Sequence, residues 1–248
     1  MHPPPSNTPW HVLVPCAGKG SRAQTLLPKQ YQPLAGVPLL VHSLLAFRAL
    51  PGMGQGLVVV ASDDQQIDQV WAQWPQTGFR HAPVGGATRA ASVAAGLQAL
   101  RLAGAADTDW VLVHDAARCL LTAQDVHALL QHCQGDAVGG LLAVPLPDTL
   151  KSERDGRAMA TVPRAHKWLA QTPQMFRLGL LQHALAKVAD TGFAGITDEA
   201  SAIERLGLQP LLVQGSAHNF KVTYPADFAL AQAVLAARAE THTHKDLP

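Results

Sequence analysis

The chain has 248 residues, an apolar fraction of 48% and a formal net charge of +1, which is enough for a substantial core in one large domain and too apolar for disorder. The near-neutral charge excludes a general nucleic-acid binder, which carries a domain-wide excess of Lys and Arg. Cys16, Cys119 and Cys133 are odd in number, far apart and without C-x-x-C spacing, so neither a disulfide framework nor a zinc site is expected.

The start, Met1-His2-Pro3-Pro4-Pro5, is neither basic nor followed by a small-residue cleavage site, and no apolar run approaches the ~20 residues that span a bilayer. A cytoplasmic protein without a membrane partner is expected, its cysteines reduced. Val12-Leu13-Val14 reads as the first strand. It runs into Pro15-Cys16-Ala17-Gly18-Lys19-Gly20-Ser21-Arg22, with Pro28-Lys29-Gln30 a short step beyond. Positions 1–62 hold no Asp or Glu but carry Lys19, Arg22, Lys29 and Arg48, so the local field is positive and suits a polyphosphate guest.

Val37 to Leu50 has helical apolar spacing and stops at Pro51-Gly52, and Leu57 to Ala61 is a continuous apolar run of the kind that forms a strand buried on both faces. Ser62-Asp63-Asp64 can cap a helix through about Trp74, and Phe79 to Val84 reads as a short strand leading to Gly85-Gly86. Ala87 to Ala103 is an Ala-rich helix, Trp110 to Asp115 a strand ending in a carboxylate, Thr122 the cap of a helix to His132, and Val138 to Val144 a strand. This alternation predicts an α/β fold with a doubly wound, mainly parallel sheet.

Between Pro145 and Trp168 the pattern breaks. Asp155-Gly156 is a turn that can pair Thr149–Lys151 with Ala158–Val162 in a projecting hairpin, and such an arm buries no core alone, so a partner chain is expected. A helix over Leu178 to Asp190, a capped helix from Thr197 to Leu206, a strand at Leu211-Leu212-Val213 and a last helix opened by Pro225 follow, with a frayed tail from about Thr241. After Lys221 one helix and a tail are expected, and no second catalytic domain.

Three nucleotide-site readings compete for the first loop. A Walker A loop needs glycine where Leu13 stands. Gly18-x-Gly20-x-x-Ala23 satisfies the dinucleotide pattern G-x-G-x-x-A, but the ribose-binding acid expected about 20 residues on is missing, since the first carboxylate is Asp63. A bare turn with solvated cations is the third.

Pro15 to Arg22 together with Pro28-Lys29-Gln30-Tyr31 resembles the signature of the sugar-phosphate nucleotidyltransferases, and most closely that of the 2-C-methyl-D-erythritol 4-phosphate cytidylyltransferase family of the non-mevalonate isoprenoid pathway. The likeness continues in order through Gly85-Gly86-Ala87-Thr88-Arg89-Ala90-Ala91-Ser92-Val93, His114-Asp115-Ala116-Ala117-Arg118, Asp148-Thr149, Gln171-Thr172-Pro173-Gln174, Thr197-Asp198-Glu199-Ala200 and Lys221-Val222-Thr223.

The resemblance implies a Rossmann-like nucleotidyltransferase fold, one domain over 1–248 with 145–168 as a dimerisation arm. It implies transfer of a cytidylyl group from CTP to methylerythritol phosphate, with release of pyrophosphate, in a homodimer that uses Mg²⁺ held by phosphate oxygens and water rather than by protein ligands. By the same resemblance Arg22 and Lys29 are the catalytic cations on the α-phosphate. Ala17, Gly18 and Lys19 line the triphosphate and base, Gly86, Arg89 and Ser92 hold cytosine and ribose, and Ala116 and Lys221 complete the nucleotide set. Asp115, Thr149, Arg164 and Thr172 bind the acceptor, Arg164 and Thr149 reaching from the arm into the neighbour's site, with Lys221 also at the acceptor.

Two departures stand out: Ala87 replaces an acidic residue and Cys119 a proline. Thr197-Asp198-Glu199 stays open between a capped helix start and a place near the acceptor. The histidines, His114 and His166 among them, lack metal-ligand spacing and read as incidental. Rival readings are the same chemistry on another polyol phosphate such as ribitol 5-phosphate, an NAD(P)-binding protein, or a nucleotide binder without catalysis.

Overall fold

A computed structural model describes residues 8–18 and 27–243. In chain order the elements are β1 (Trp10–Pro15), β2 (Pro33–Leu34), β3 (Val37–Pro38), α1 (Leu39–Arg48), β4 (Met53–Val59), α2 (Ile67–Gln73), β5 (Arg80–Ala82), α3 (Arg89–Leu102), β6 (Trp110–Val113), α4 (Ala123–Cys133), β7 (Gly139–Pro145), β8 (Leu150–Arg154), β9 (Arg157–Val162), β10 (Trp168–Arg177), α5 (Leu178–Ala186), α6 (Glu199–Glu204), β11 (Leu211–Gln214) and α7 (Pro225–Thr243). Seven strands make one sheet in the order β11-β7-β10-β6-β1-β4-β5. All neighbours run parallel except β10, which is antiparallel to both β7 and β6.

Strand periodicity divides the core into two layers. Val12 and Val14 of β1 and Leu112 of β6 face a cluster with Leu40, Leu44, Phe47 and Val126 from α1 and α4. Leu13, Val111 and Val113 face the opposite way, onto Val93, Leu97, Leu181 and Ile203 from α3, α5 and α6. A third cluster packs α7 through Ala231 and Val234 against Leu34, Leu39 and Leu120. The mainly parallel, helix-flanked sheet expected from the sequence is therefore the fold.

Caps fix where helices begin. Thr122 and Asp125 form a reciprocal capping box at α4, Thr88 Oγ1 accepts from the N–H of Ala91 at α3, and Asp64 Oδ1 accepts from the N–H groups of Gln66 and Ile67 ahead of α2. At α6 the cap is Asp198 rather than Thr197.

The hairpin β8–β9 turns at Asp155 and Gly156, both at positive φ, and forms a separate two-stranded sheet. Leu150, Met159, Trp168 and Leu169 are exposed on it or at its root. Sequence reading missed the short pair β2–β3, whose Val37 and Pro38 it put at the start of the helix that begins at Leu39, and strand β10. Its run Gln171-Thr172-Pro173-Gln174 breaks apolar alternation and removes a ladder donor, and the register with β7 slips between Ala170 and Gln174, where the strand accommodates the proline.

Candidate functional site

Chain direction in the sheet reverses at β1, where the path first runs outward to β4 and β5 and then returns to β6 on the other side. Open α/β sheets bind ligands outside the carboxyl ends of the strands at such a switch point. Here the ladder carries on past both strand ends. Cys16 N donates to Val59 O at 2.7 Å and His114 N to Leu13 O at 2.9 Å, so the loops after β1 and β6 leave the sheet side by side. Gly85 lies so close that a Cβ would meet Val60 O at 2.7 Å, which lets the loop before α3 close against Ala17.

These loops enclose a cavity of about 340 Å³ lined by Ala17, Gly18, Lys29, Gln30, Gly86, Arg89, Ser92, Asp115, Ala116 and Lys221, among others. A second cavity of about 240 Å³ adjoins it, lined by Arg118, Gln171, Thr172, Gln174, Thr197 and Asp198. Arg89, Asp115 and Lys221 line both. Among the described residues Asp115 is the single acid in the first cavity's wall.

That shared wall is an ion network. Lys221 Nζ donates to Asp115 Oδ2 at 2.7 Å, Arg89 Nε to Asp115 Oδ1 at 2.8 Å, and the other two Arg89 nitrogens to both oxygens of Glu199 at 2.6 and 3.1 Å. Burial opposes the charge on Asp115, but Arg89 and then Lys221 outweigh it and hold the carboxyl well below its usual range. Burial likewise opposes the charge on Arg89, and Glu199 and Asp115 more than reverse it. Burial dominates at Glu199 and keeps its carboxyl above the ordinary value despite Arg89.

Thr172 and His114 hold this wall from behind. Asp115 N donates to Thr172 Oγ1 at 3.0 Å, and Thr172 Oγ1 lies 3.0 Å from His114 Nδ1. His114 Nε2 faces the carbonyl of Arg118 at 3.2 Å, so Nε2 carries the proton and Nδ1 accepts from the Thr172 hydroxyl. Burial lowers the His114 pKa to about 4, which keeps the ring neutral. Arg118 donates to Asn219 O at 2.6 Å and Ala170 O at 3.2 Å, leaving its buried Nε unpartnered at the second cavity.

Lys29 sits on the short turn before β2, its Nζ 2.7 Å from Val222 O. The hydroxyl of Ser92 is committed to the cavity rim, accepting from Gly86 N at 3.1 Å and donating to Thr88 O at 3.0 Å. Of the residues singled out from sequence, Ala17, Gly18, Lys29, Gly86, Arg89, Ser92, Asp115, Ala116 and Lys221 thus meet at the first cavity and Thr172 at the second. Thr149 and Arg164 are exposed on the arm, where Arg164 donates to Pro147 O, and line neither cavity. Lys19 and Arg22 lie outside the described residues. His114 is not incidental, and Glu199 and Gln30 carry structural work the sequence reading did not assign. Glu199 within a helix-start motif and Gln30 beside Lys29 were the available signals.

Among the described residues no three His, Cys, Asp or Glu side chains cluster to hold a metal, and no helix is long and apolar enough to cross a membrane.

A family model described as 2-C-methyl-D-erythritol 4-phosphate cytidylyltransferase matches residues 10–237. A protein of that name from Chromobacterium violaceum is 54% identical over 230 residues, covering 92% of this chain and 99% of the relative. A bifunctional enzyme IspD/IspF from Albidiferax ferrireducens is 56% identical over 230 residues, and here the chain spans about half of the relative's length (53%). The crystal structure of a 4-diphosphocytidyl-2C-methyl-D-erythritol synthase superposes with a TM-score of 0.80 at 41% identity, over 92% of this chain and 98% of that one.

Proposed function

The chain belongs to the 2-C-methyl-D-erythritol 4-phosphate cytidylyltransferase family and is a nucleotidyltransferase, and we propose that its first cavity takes CTP while its second takes the acceptor, 2-C-methyl-D-erythritol 4-phosphate. The supporting observation is that Arg89, Asp115 and Lys221 line both cavities, so the two adjoin through the same charged side chains. Substrates seated in the two are neighbours held by the same three side chains, the positioning on which an in-line displacement relies.

An oxygen of the acceptor phosphate forms a bond to the α-phosphorus of CTP as the bond from that phosphorus to the bridging oxygen breaks. The electron pair leaves with pyrophosphate, and 4-diphosphocytidyl-2-C-methyl-D-erythritol is the product. No proton need move, so the protein's task is to position both partners and to offset charge at phosphorus. Lys29 does so from the wall of the first cavity, and Arg22 is assigned the same task. The backbone of Ala17 and Gly18 lines the phosphates, a role assigned also to Lys19, with Gly86, Arg89 and Ser92 at the nucleoside and Ala116 beside it. Lys221, Arg118 and Thr172 face the acceptor from the main body, and Asp115 faces both substrates.

Mg²⁺ suits this site. The one carboxylate facing the first cavity, kept ionised by Arg89 and Lys221, matches an ion that takes one or two carboxylates and leaves its other positions to phosphate oxygens and water. Bound there beside Asp115, it would neutralise charge on the departing pyrophosphate.

The exposed apolar arm and the absence of Thr149 and Arg164 from both cavity walls support a homodimer in which these two residues complete the partner's acceptor site. The reaction is cytoplasmic, with no nucleic acid or membrane involved. Pyrophosphate release is to be measured with CTP, Mg²⁺ and either methylerythritol phosphate or ribitol 5-phosphate. Turnover with the first and not the second is expected, and turnover with ribitol 5-phosphate alone would overturn the assignment.

A further inference from the structure

Gln30 is buried at 7% exposure in the wall of the first cavity, on the short turn Lys29–Tyr31. A buried primary amide has to place two N–H donors. Its Nε2 donates to Cys16 O at 3.1 Å and to Gly18 O at 3.2 Å, so both donors go to the loop after β1. These two carbonyls are set two residues apart and turned to one side. Because peptides are planar and trans, the N–H of Ala17 is turned the opposite way from the Cys16 carbonyl. The amide therefore sets the orientation of two peptide groups in the loop that lines the cavity.

The same turn is pinned on its other flank. Tyr31, 5% exposed, donates its hydroxyl to Asp64 Oδ2 at 2.6 Å, and Asp64 is itself fixed by the N–H groups ahead of α2. Lys29 Nζ is tied to Val222 O. Gln30 is thus the direct link between the ammonium-bearing turn and the glycine loop, adjacent in sequence to Lys29 and bonded to the residues on either side of Ala17.

We propose that Gln30 is a positioning residue for cytidylyl transfer, setting the distance between the Cys16–Gly18 loop and the ammonium of Lys29. This rests on the reading of the first cavity as the CTP site. Gln30 acts on the reaction by holding the loop's peptide groups at a set distance from the Lys29 ammonium, which makes its effect dependent on Lys29 being present. A side chain that merely fills space would have an effect independent of Lys29.

The test is a double-mutant cycle on the full-length protein with Gln30→Glu and Lys29→Ala, read as kcat and as KM for each substrate. Glutamate keeps the shape, but its carboxylate offers no donor and faces two carbonyl oxygens. In the Lys29-containing protein Gln30→Glu is expected to lower kcat about 10²-fold, the cost of a displacement of order 1 Å. In the Lys29→Ala background the further loss is expected to be under about threefold, as for residues that act as a unit. KM for the acceptor stays within about twofold, since the second cavity does not contain Gln30. Equal losses in both backgrounds, or no loss in either, would overturn the proposal. Should Gln30→Glu not fold, Gln30→Met removes both donors without adding charge and completes the same cycle. An unaltered protein that does not turn over CTP at all would instead overturn the reading of the cavity, and the inference with it.

Discussion

Arg89 and Glu199, 110 residues apart in the chain, meet in a two-point grip, the guanidinium donating to both carboxylate oxygens at 2.6 and 3.1 Å. Glu199 is 2% exposed, so its charge has no water to fall back on. Removing one partner of a buried pair costs about 3–5 kcal/mol because the other is stranded. Arg89→Met is expected to lower the thermal midpoint by roughly 6–20 °C, at the 2–4 °C per kcal/mol typical of this chain length. Adding Glu199→Gln to that variant recovers part of the loss. A melting curve for Arg89→Met that overlays the unaltered protein would show that the grip contributes nothing.

Lys29→Ala and Arg22→Ala test the cations assigned to the α-phosphate. Each is expected to reduce kcat by about 10²–10³, the usual loss when one fixed stabiliser of transition-state charge is deleted. The circular dichroism spectrum and thermal midpoint stay close to those of the parent for Lys29→Ala, because its side chain lines the first cavity and is only half-buried rather than packed in the core. Unchanged turnover for either variant would remove that residue from the mechanism.

Two buried groups shape the acid limb of stability, and both act in the same direction. His114 has its pKa lowered from 6.5 to about 4 by burial. Between those values the unfolded chain binds a proton that the folded chain does not, so stability is full above pH 6.5 and falls as pH drops toward 4, by on the order of 3 kcal/mol. Asp115, held far below its ordinary 3.8, adds a second loss that starts below about pH 4. Denaturant midpoints from pH 7 to pH 4.5 are expected to fall for the unaltered protein and to flatten for His114→Asn. Parallel curves would show that another group sets the limb.

Subunit complementation tests the arm. Lys29→Ala and Arg164→Ala are each expected to be inactive. If Arg164 serves the partner's cavity, one of the two sites in a mixed dimer is whole, and random mixing restores about a quarter of parental activity. Carrying both substitutions on one chain and mixing with nothing restores none. No recovery in mixtures shown to exchange subunits would place Arg164 in its own chain's site or in none.

The three cysteines are free and buried, and burial pushes their thiols up, Cys119 to about 11 and Cys133 to about 12. Since the thiolate is the reactive form, the folded protein is expected to resist a disulfide reagent at pH 8 and to release three equivalents once unfolded. Rapid labelling of the native chain would contradict the packing of these residues.

Much of the fold was legible because the parallel strands are short apolar runs between turn residues. β1, β6 and β7 and the capped helices α3 and α4 fall where spacing and cap chemistry put them. β10 was not, because its information lies in pairing: Met175 and Phe176 are buried against β6 and β7, while Thr172 and Gln174 are spent on polar partners no local pattern announces. The site divided the same way. Glycines and cations after β1 could be read from type and position, whereas Glu199 reads locally as a helix start and reveals its grip on Arg89 only when α6 packs beside α3's N-terminus. His114 failed a metal-spacing test that was the wrong question, since its partner is a hydroxyl 58 residues away.

The ribbon that leads to the arm is interrupted where it passes the site. β7 and β10 pair from Gly139 and Phe176 to Leu141 and Gln174, slip, and pair again from Ala143 and Ala170 out to Pro145 and Trp168, and Leu146 N donates to Lys167 O at 2.9 Å beyond them. Thr172, which holds the backbone of Asp115, lies midway along that ribbon. Strand β10 therefore joins the root of the hairpin to the residue that holds the backbone of Asp115, in the wall of both cavities. The break in the ladder and the hold on the shared carboxylate thus fall on the same residue, so the irregularity of the sheet and the wall of the site are one feature of the chain.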